Sequence, residues 1–132
     1  MDIIFFGSSQ FAVPALNALY SAGHNILCVV TQPDRKKGRH LLQSHTAVKD
    51  TALGLNLKII QPVNINSKQS LELLKGFHAD LFVIVAYGQI FSEALLGIPR
   101  VMPINIHASL LPKYRGAAPI NWALINGEKQ SG

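Results

Sequence analysis

Five short apolar runs, DIIFF, NILCVVT, LKII, LFVIVA and VMPINIH, recur along the chain with helix-patterned stretches between them. Apolar runs of this length, with little polar alternation, are strands covered on both faces. Strands that alternate with helices are joined by crossovers, so the pattern predicts a doubly wound, mainly parallel α/β sheet. Ala12, Leu16, Leu19 and Tyr20 stand at helical spacing, which predicts a helix beginning around Gln10 to Val13, with Pro14 in its first turn, and stopping at Gly23. Ser44 is placed to cap a helix through Leu53 that Gly54 ends. Ser67 is placed to cap one reaching Gly76 with Leu71 and Leu74 inward, and Ser92 a short one through Leu96. Pro119 near the start and Gly127 just past the end frame a last helix, AAPINWALIN. In sheets of this kind ligands bind beyond the carboxyl ends of the strands.

With 132 residues, 48% of them apolar and 14% charged, the chain is expected to be at most one domain, with a real core. No apolar run approaches the roughly 20 residues that span a bilayer. MDIIFFG has no basic n-region and enters a turn too soon for a secretory segment, so a soluble, cytoplasmic protein is expected. Cys28 is the single cysteine and lies within an apolar run, where a buried, inert thiol is expected. The net charge of +5 matters less than its clustering, because Arg35, Lys36, Lys37, Arg39 and Lys49 crowd together with His40 and His45. DRKKGRH contains Gly and has no apolar period, so it reads as a mobile basic loop, either simply solvated or facing a polyanion. The chain stops at EKQSG with no closing element after the last helix, as a piece of a longer domain would.

The first turn reads GSSQFA rather than G-x-G-x-x-G, and no P-loop pattern occurs, which disfavours a dinucleotide or P-loop enzyme. Asp34 therefore reads as a turn residue, not a ribose-binding acid. No Cys/His cluster has zinc-ligand spacing, so no metal is expected. Asn105 and His107 are two apart in the last strand and project from one face at its carboxyl end, with Ile104 and Ile106 filling the other. By itself N-x-H fits a hydrogen-bonded pair at a strand end. At the ligand-binding edge it also fits an oxyanion donor and a proton acceptor around a carbonyl under attack. No Ser or Cys is set beside the histidine as an obvious nucleophile, so direct transfer between two bound substrates is the chemistry expected.

NIHASLLPKYRGAAPINWALINGE resembles the signature region of the folate-dependent formyltransferases, and TQPDRKKGR, IIQPVN and VAYGQI resemble segments of the tRNA-formylating branch of that family. The resemblance implies a Rossmann-like fold, with residues 1–132 as an incomplete N-terminal portion of the catalytic domain and the family's later tRNA-contacting domain absent. It implies 10-formyltetrahydrofolate as formyl donor and the α-amine of initiator methionyl-tRNA as acceptor, in the cytoplasm or an organellar matrix, for translation initiation. Asn105 and His107 map onto the family's catalytic pair, stabilising the oxyanion through Asn105 and a His107 N–H; a catalytic aspartate of the family lies beyond Gly132. Ser109, Leu110, Leu111 and Pro112 match the folate-contacting loop, and Tyr87, Gly88, Gln89 and Ile90 are expected to line the pterin pocket. Arg35, Lys36, Lys37 and Arg39 map onto the loop that enters the tRNA acceptor stem, while Arg115 suits either a local salt bridge or an anionic ligand tail. Leu41 and Leu42 stand where the family carries further lysines, Ser9 where a Pro is usual, and Ala108 where a Gly precedes SLLP. An amino-sugar-nucleotide formyltransferase and an inactive folate- or RNA-binding fragment are the alternatives. A chain ending here is expected to self-associate through an open sheet edge.

Overall fold

The computed structural model describes residues 1–37, 42–116 and 118–132. Five parallel strands form the sheet: β1 (Asp2–Gly7), β2 (Asn25–Val30), β5 (Ile59–Ile60), β6 (Leu81–Val85) and β7 (Met102–Ile106), in the order β5-β2-β1-β6-β7. Helices α1 (Val13–Ser21), α2 (Ala47–Gly54), α3 (Lys68–Lys75), α4 (Glu93–Leu96) and α5 (Pro119–Ile125) lie between or after the strands. The expected doubly wound architecture is borne out, and strand order reverses between β1 and β6, where such a sheet opens a crevice.

β1 is buried on both faces because alternate side chains serve two cores. Ile3 and Phe5 pack with Ala12, Leu16, Val48 and Ala52 under α1 and α2, while Ile4 and Phe6 pack with Leu74, Phe82 and Leu95 under α3 and α4. Ile3 pairs with Ile26 but Ile4 with Cys28, so Leu27 is an extra residue and β2 carries a bulge. Cys28 is fully buried, and that burial pushes its thiol up to about 12, consistent with an inert core residue. Among the described residues no helix is long and apolar enough to cross a membrane.

The helix starts follow the capping signals with one exception. Ser67 accepts from Ser70 N and Ser92 from Leu95 N, as the sequence indicates. A 3-10 turn (Gln10–Ala12) leads into α1, with Pro14 in its first turn, and Tyr20 faces solvent while Leu16 is buried. The cap of α2 is Thr46, not Ser44: Thr46 has extended backbone, and its hydroxyl accepts from Lys49 N at 3.0 Å. Ser44 is engaged elsewhere, because Arg35–Lys37 (β3) pairs antiparallel with Leu42–Ser44 (β4), Arg35 opposite Ser44. Within the run expected to be a loop, residues 35–37 are thus a strand paired with 42–44, while Arg39, His40 and Leu41 lie outside the described residues.

At the other side β7 is an edge strand. Ile104 and Ile106 do not fill a buried face: they are 40% and 42% exposed, because no element among the described residues closes over that side. Trp122, Leu124 and Ile125 of α5 are exposed as well. At the strand beginnings, Asp80 binds two other chain segments: Asp2 N donates to Oδ2 at 2.9 Å, and Arg100 donates to Oδ1 through Nε (3.1 Å) and Nη2 (2.6 Å). The Asp2 N–H first and the Arg100 guanidinium second hold the Asp80 carboxyl below its ordinary value.

Two outcomes follow for stability. A Cβ on Gly7 would stand 2.9 Å from both Ala12 Cβ and the Phe5 ring and 3.1 Å from Val85 O, all in the packed interior. Gly7→Ala is therefore expected to lower unfolding free energy by about 1–3 kcal/mol in urea denaturation, and an unchanged midpoint would contradict that packing. Because the folded pKa of Asp80 is depressed, its contribution is present above the unfolded value of about 4 and is lost as pH falls through the folded value. The urea midpoint of Asp80→Asn is expected below that of the wild type at neutral pH, with the two converging below about pH 4. A gap that stays constant with pH would contradict the linkage.

Candidate functional site

Register places the site. Gly7 pairs with Val85 and Val85 with Ile106, so β1, β6 and β7 end side by side at the carboxyl edge of the sheet. After β6 the chain turns sharply through Ala86 (φ 46) and Gly88 (φ 94), both in the left-handed region. Hydrogen bonds to the ends of β1 and β2 hold this turn: Ser8 Oγ donates to Tyr87 O at 3.0 Å and accepts from Gln32 N at 3.1 Å, and Gln32 Nε2 donates to Tyr87 O at 3.3 Å. A cavity of about 490 Å³ lies between the turn, the end of β7 and the start of α5, and its lining includes Asn105, His107 and residues 87–89.

The expected site residues take different places around it. Asn105 is exposed and His107 half-buried on the cavity. Tyr87 contributes its place in the turn, while its ring is buried in the core, edge-on to Phe6 at 5.8 Å and Phe91 at 5.7 Å. Its hydroxyl has no partner among the described residues, and burial pushes its pKa up to about 12. Gly88 has no side chain within the cavity, and the Gln89 carboxamide is spent on the neighbouring loop, accepting from Ile65 N (2.9 Å) and donating to Val63 O (3.1 Å). Ile90 points to solvent, 89% exposed.

The segment after β7 divides. Ser109 is buried, and its Oγ lies 2.8 Å from His107 Nδ1 and donates to Lys113 O at 2.7 Å. Leu110, Leu111 and Pro112 line a second hollow of about 660 Å³ with residues 127–131. Arg115 is exposed. Ser9, Phe11, Ile120 and Asn121 also line the first cavity and were given no role from the sequence. For Ser9 and Phe11 the signal was position alone, since residues just after β1 necessarily fall at the carboxyl edge, whereas Ile120 and Asn121 belong to the signature region.

A separate polar cluster anchors the basic hairpin. Asp34 Oδ2 meets Lys49 Nζ at 2.5 Å, and Gln61 Nε2 donates to Asp34 Oδ1 at 2.8 Å and to Gln32 O at 2.9 Å. The Lys49 and Gln61 hydrogen bonds hold the Asp34 carboxyl below its ordinary value. His45 Nδ1 lies 2.9 Å from Asp50 Oδ1, with Nε2 3.7 Å from Asp34 Oδ2. Asp34 therefore works as the hairpin's structural anchor. Arg35 at the start of β3 is exposed; β3 also carries Lys36 and Lys37. Among the described residues no three His, Cys, Asp or Glu side chains gather as a metal site.

Known proteins match this chain along its whole length. It is 49% identical to the methionyl-tRNA formyltransferase of Agathobacter rectalis over 132 residues, covering 100% of this chain and 43% of that protein. It is 50% identical to the methionyl-tRNA formyltransferase of Pelotomaculum thermopropionicum, again over all of this chain and 42% of that protein. The chain thus spans less than half the length of these curated relatives. The crystal structure of phosphoribosylglycinamide formyltransferase from Streptococcus pneumoniae TIGR4 shares the fold at a TM-score of 0.73 and 22% identity, over 99% of this chain and 69% of that one. The profile of the family described as Formyl transferase matches residues 1–132. On a match that leaves no residue out, and on relatives near half identity throughout, the chain belongs to the formyl transferase family.

Proposed function

We propose that residues 1–132 are the N-terminal portion of a catalytic domain that moves a formyl group from 10-formyltetrahydrofolate to the α-amine of methionyl-tRNA. The observation that carries the reading is the placement of Asn105 and His107 on one cavity with the Gly88 turn, at the switch point of the sheet. Attack by the amine on the formyl carbon forms a C–N bond and builds negative charge on the formyl oxygen. The Asn105 carboxamide is a neutral N–H donor suited to that charge, and His107 is suited to accept the proton the amine must lose. Collapse then breaks the bond from the formyl carbon to the donor nitrogen, which takes a proton as it leaves. Residues 87–89 of the turn line the same cavity, which suits it to hold the flat heterocycle of the donor.

The basic hairpin supports a nucleic-acid acceptor. Arg35, Lys36 and Lys37 stand on β3, which the Asp34, Lys49 and Gln61 cluster ties to the body of the domain. A hairpin held at its base presents cations that can neutralise phosphates. The names of the relatives favour methionyl-tRNA over a small acceptor. The exposed apolar residues of β7 and α5 fit contact with the further chain that the longer relatives possess; left bare, such an edge invites pairing with a second copy.

The test is a chimera of residues 1–132 with the remaining sequence of the Agathobacter rectalis relative, assayed for formylation of methionyl-tRNA. Asn105→Ala and His107→Ala are each expected to reduce kcat by a factor of about 100–1000, some 3–4 kcal/mol, with little change in KM for the folate. Turnover near that of the unmutated chimera in both variants would remove the pair from the chemistry.

A further inference from the structure

We infer that Ser109 is the positioning residue that sets the protonation pattern of His107, an inference that rests on the catalytic reading of the cavity but not on the identity of the acceptor. A hydroxyl has one proton and two lone pairs, whereas a peptide carbonyl only accepts. The 2.7 Å contact from Ser109 Oγ to Lys113 O therefore uses the only hydroxyl proton. His107 Nδ1 lies 2.8 Å from the same oxygen, so the ring must donate and Nδ1 carries the proton of the neutral imidazole. The opposite tautomer would set two lone pairs against each other, or turn the hydroxyl away and leave the Lys113 carbonyl without this partner.

The acceptor is itself held in place. Lys113 N donates to Leu110 O at 3.1 Å, and Lys113 Nζ and Tyr114 Oη both reach Glu128 Oε1 at 2.9 Å, tying the turn to the chain beyond α5. Ser131 Oγ donates to Ala108 O at 2.9 Å, from the same stretch. Ser109 is 5% exposed, so water does not compete freely for its hydroxyl.

Two consequences follow for the chemistry. Neutral His107 has no second N–H to offer the oxyanion, so Nε2 is a lone pair and the ring acts as a proton acceptor. Donation to the formyl oxygen then falls to Asn105. When Nε2 takes the proton of the attacking amine, the resulting imidazolium keeps its Nδ1–H on Ser109, so the ring is charged without rotating or changing partners. This revises the expectation that His107 supplies an N–H to the oxyanion, and it takes Ser109 from folate contact to the support of the imidazole.

The deciding experiment is long-range proton–nitrogen correlation NMR of the histidine side chains in the uniformly nitrogen-15-labelled 132-residue chain, at a pH where imidazoles are neutral, with His107→Gln to assign the signals. The expected pattern is Nδ1 protonated and Nε2 bare. Ser109→Ala should lose that pattern to a mixture or to the Nε2–H form, and Ser109→Thr, which keeps the hydroxyl, should restore it. Predominant Nε2–H in the wild type would overturn the proposal even if Ser109→Ala fails to fold, as would an unchanged pattern in a folded Ser109→Ala. In the chimera, Ser109→Ala should lower kcat about tenfold with KM for the folate unmoved. An Nδ1–H pattern in a chimera without formyl transfer would reject the proposed reaction while leaving the role of Ser109 standing.

Discussion

The pairing of β1 with β2 on one side and β6 on the other is the constraint on which the remaining architecture rests. It buries Ile4, Phe5 and Phe6 completely and, through β6, sets the level at which β7 ends. Gly7 completes that alignment because a side chain there would collide with Ala12 and Phe5. The first crossover can then leave the sheet at once, and the crevice between β1 and β6 opens where Asn105, His107 and the Gly88 turn converge. A polar pair on an otherwise apolar strand becomes a site only through this register.

The site is held by neutral hydrogen bonds more than by charge. Ser8 and Gln32 fix the Tyr87 carbonyl, Gln89 fixes the 63–65 segment, and Ser109 fixes His107. The ion pairs lie further off, at the hairpin base, at the strand beginnings and behind the Ser109 turn. In the proposed reaction, charges near the forming oxyanion would bias its stabilisation, whereas braces placed behind the turn would orient Asn105 and His107 without adding a competing field.

The doubly wound parallel sheet and most helix starts were legible because they depend on local patterns: uninterrupted apolar runs, Ser before a helix, Gly after one. What was not legible depended on partners distant in sequence. Ser44 is a good cap on paper, but its pairing with Arg35 leaves the cap to Thr46. The same pairing makes a strand of residues 35–37, which have no apolar period. Tyr87 stands in a turn next to the cavity, but the aromatic faces of Phe6 and Phe91 draw its ring into the core. Ile104 and Ile106 alternate as core residues would, and lie open because β7 is an edge. Asn105 and His107 were visible as an i, i+2 pair, but the bond from Ser109 to Lys113 that gives His107 its orientation depends on the fold of the SLLP turn.

The account stands or falls on whether the cavity at the ends of β6 and β7 is where the formyl donor binds. Amide chemical-shift mapping of the 132-residue chain titrated with 5-formyltetrahydrofolate, a stable isomer of the donor, tests this directly. Saturable shifts confined to residues 86–89 and 105–109, with Arg35–Lys37 and the Asp80 corner unmoved, are the predicted result. Saturable shifts centred on the basic hairpin or on the hollow beside Leu110 and Leu111, with the Gly88 turn and His107 silent, would contradict it.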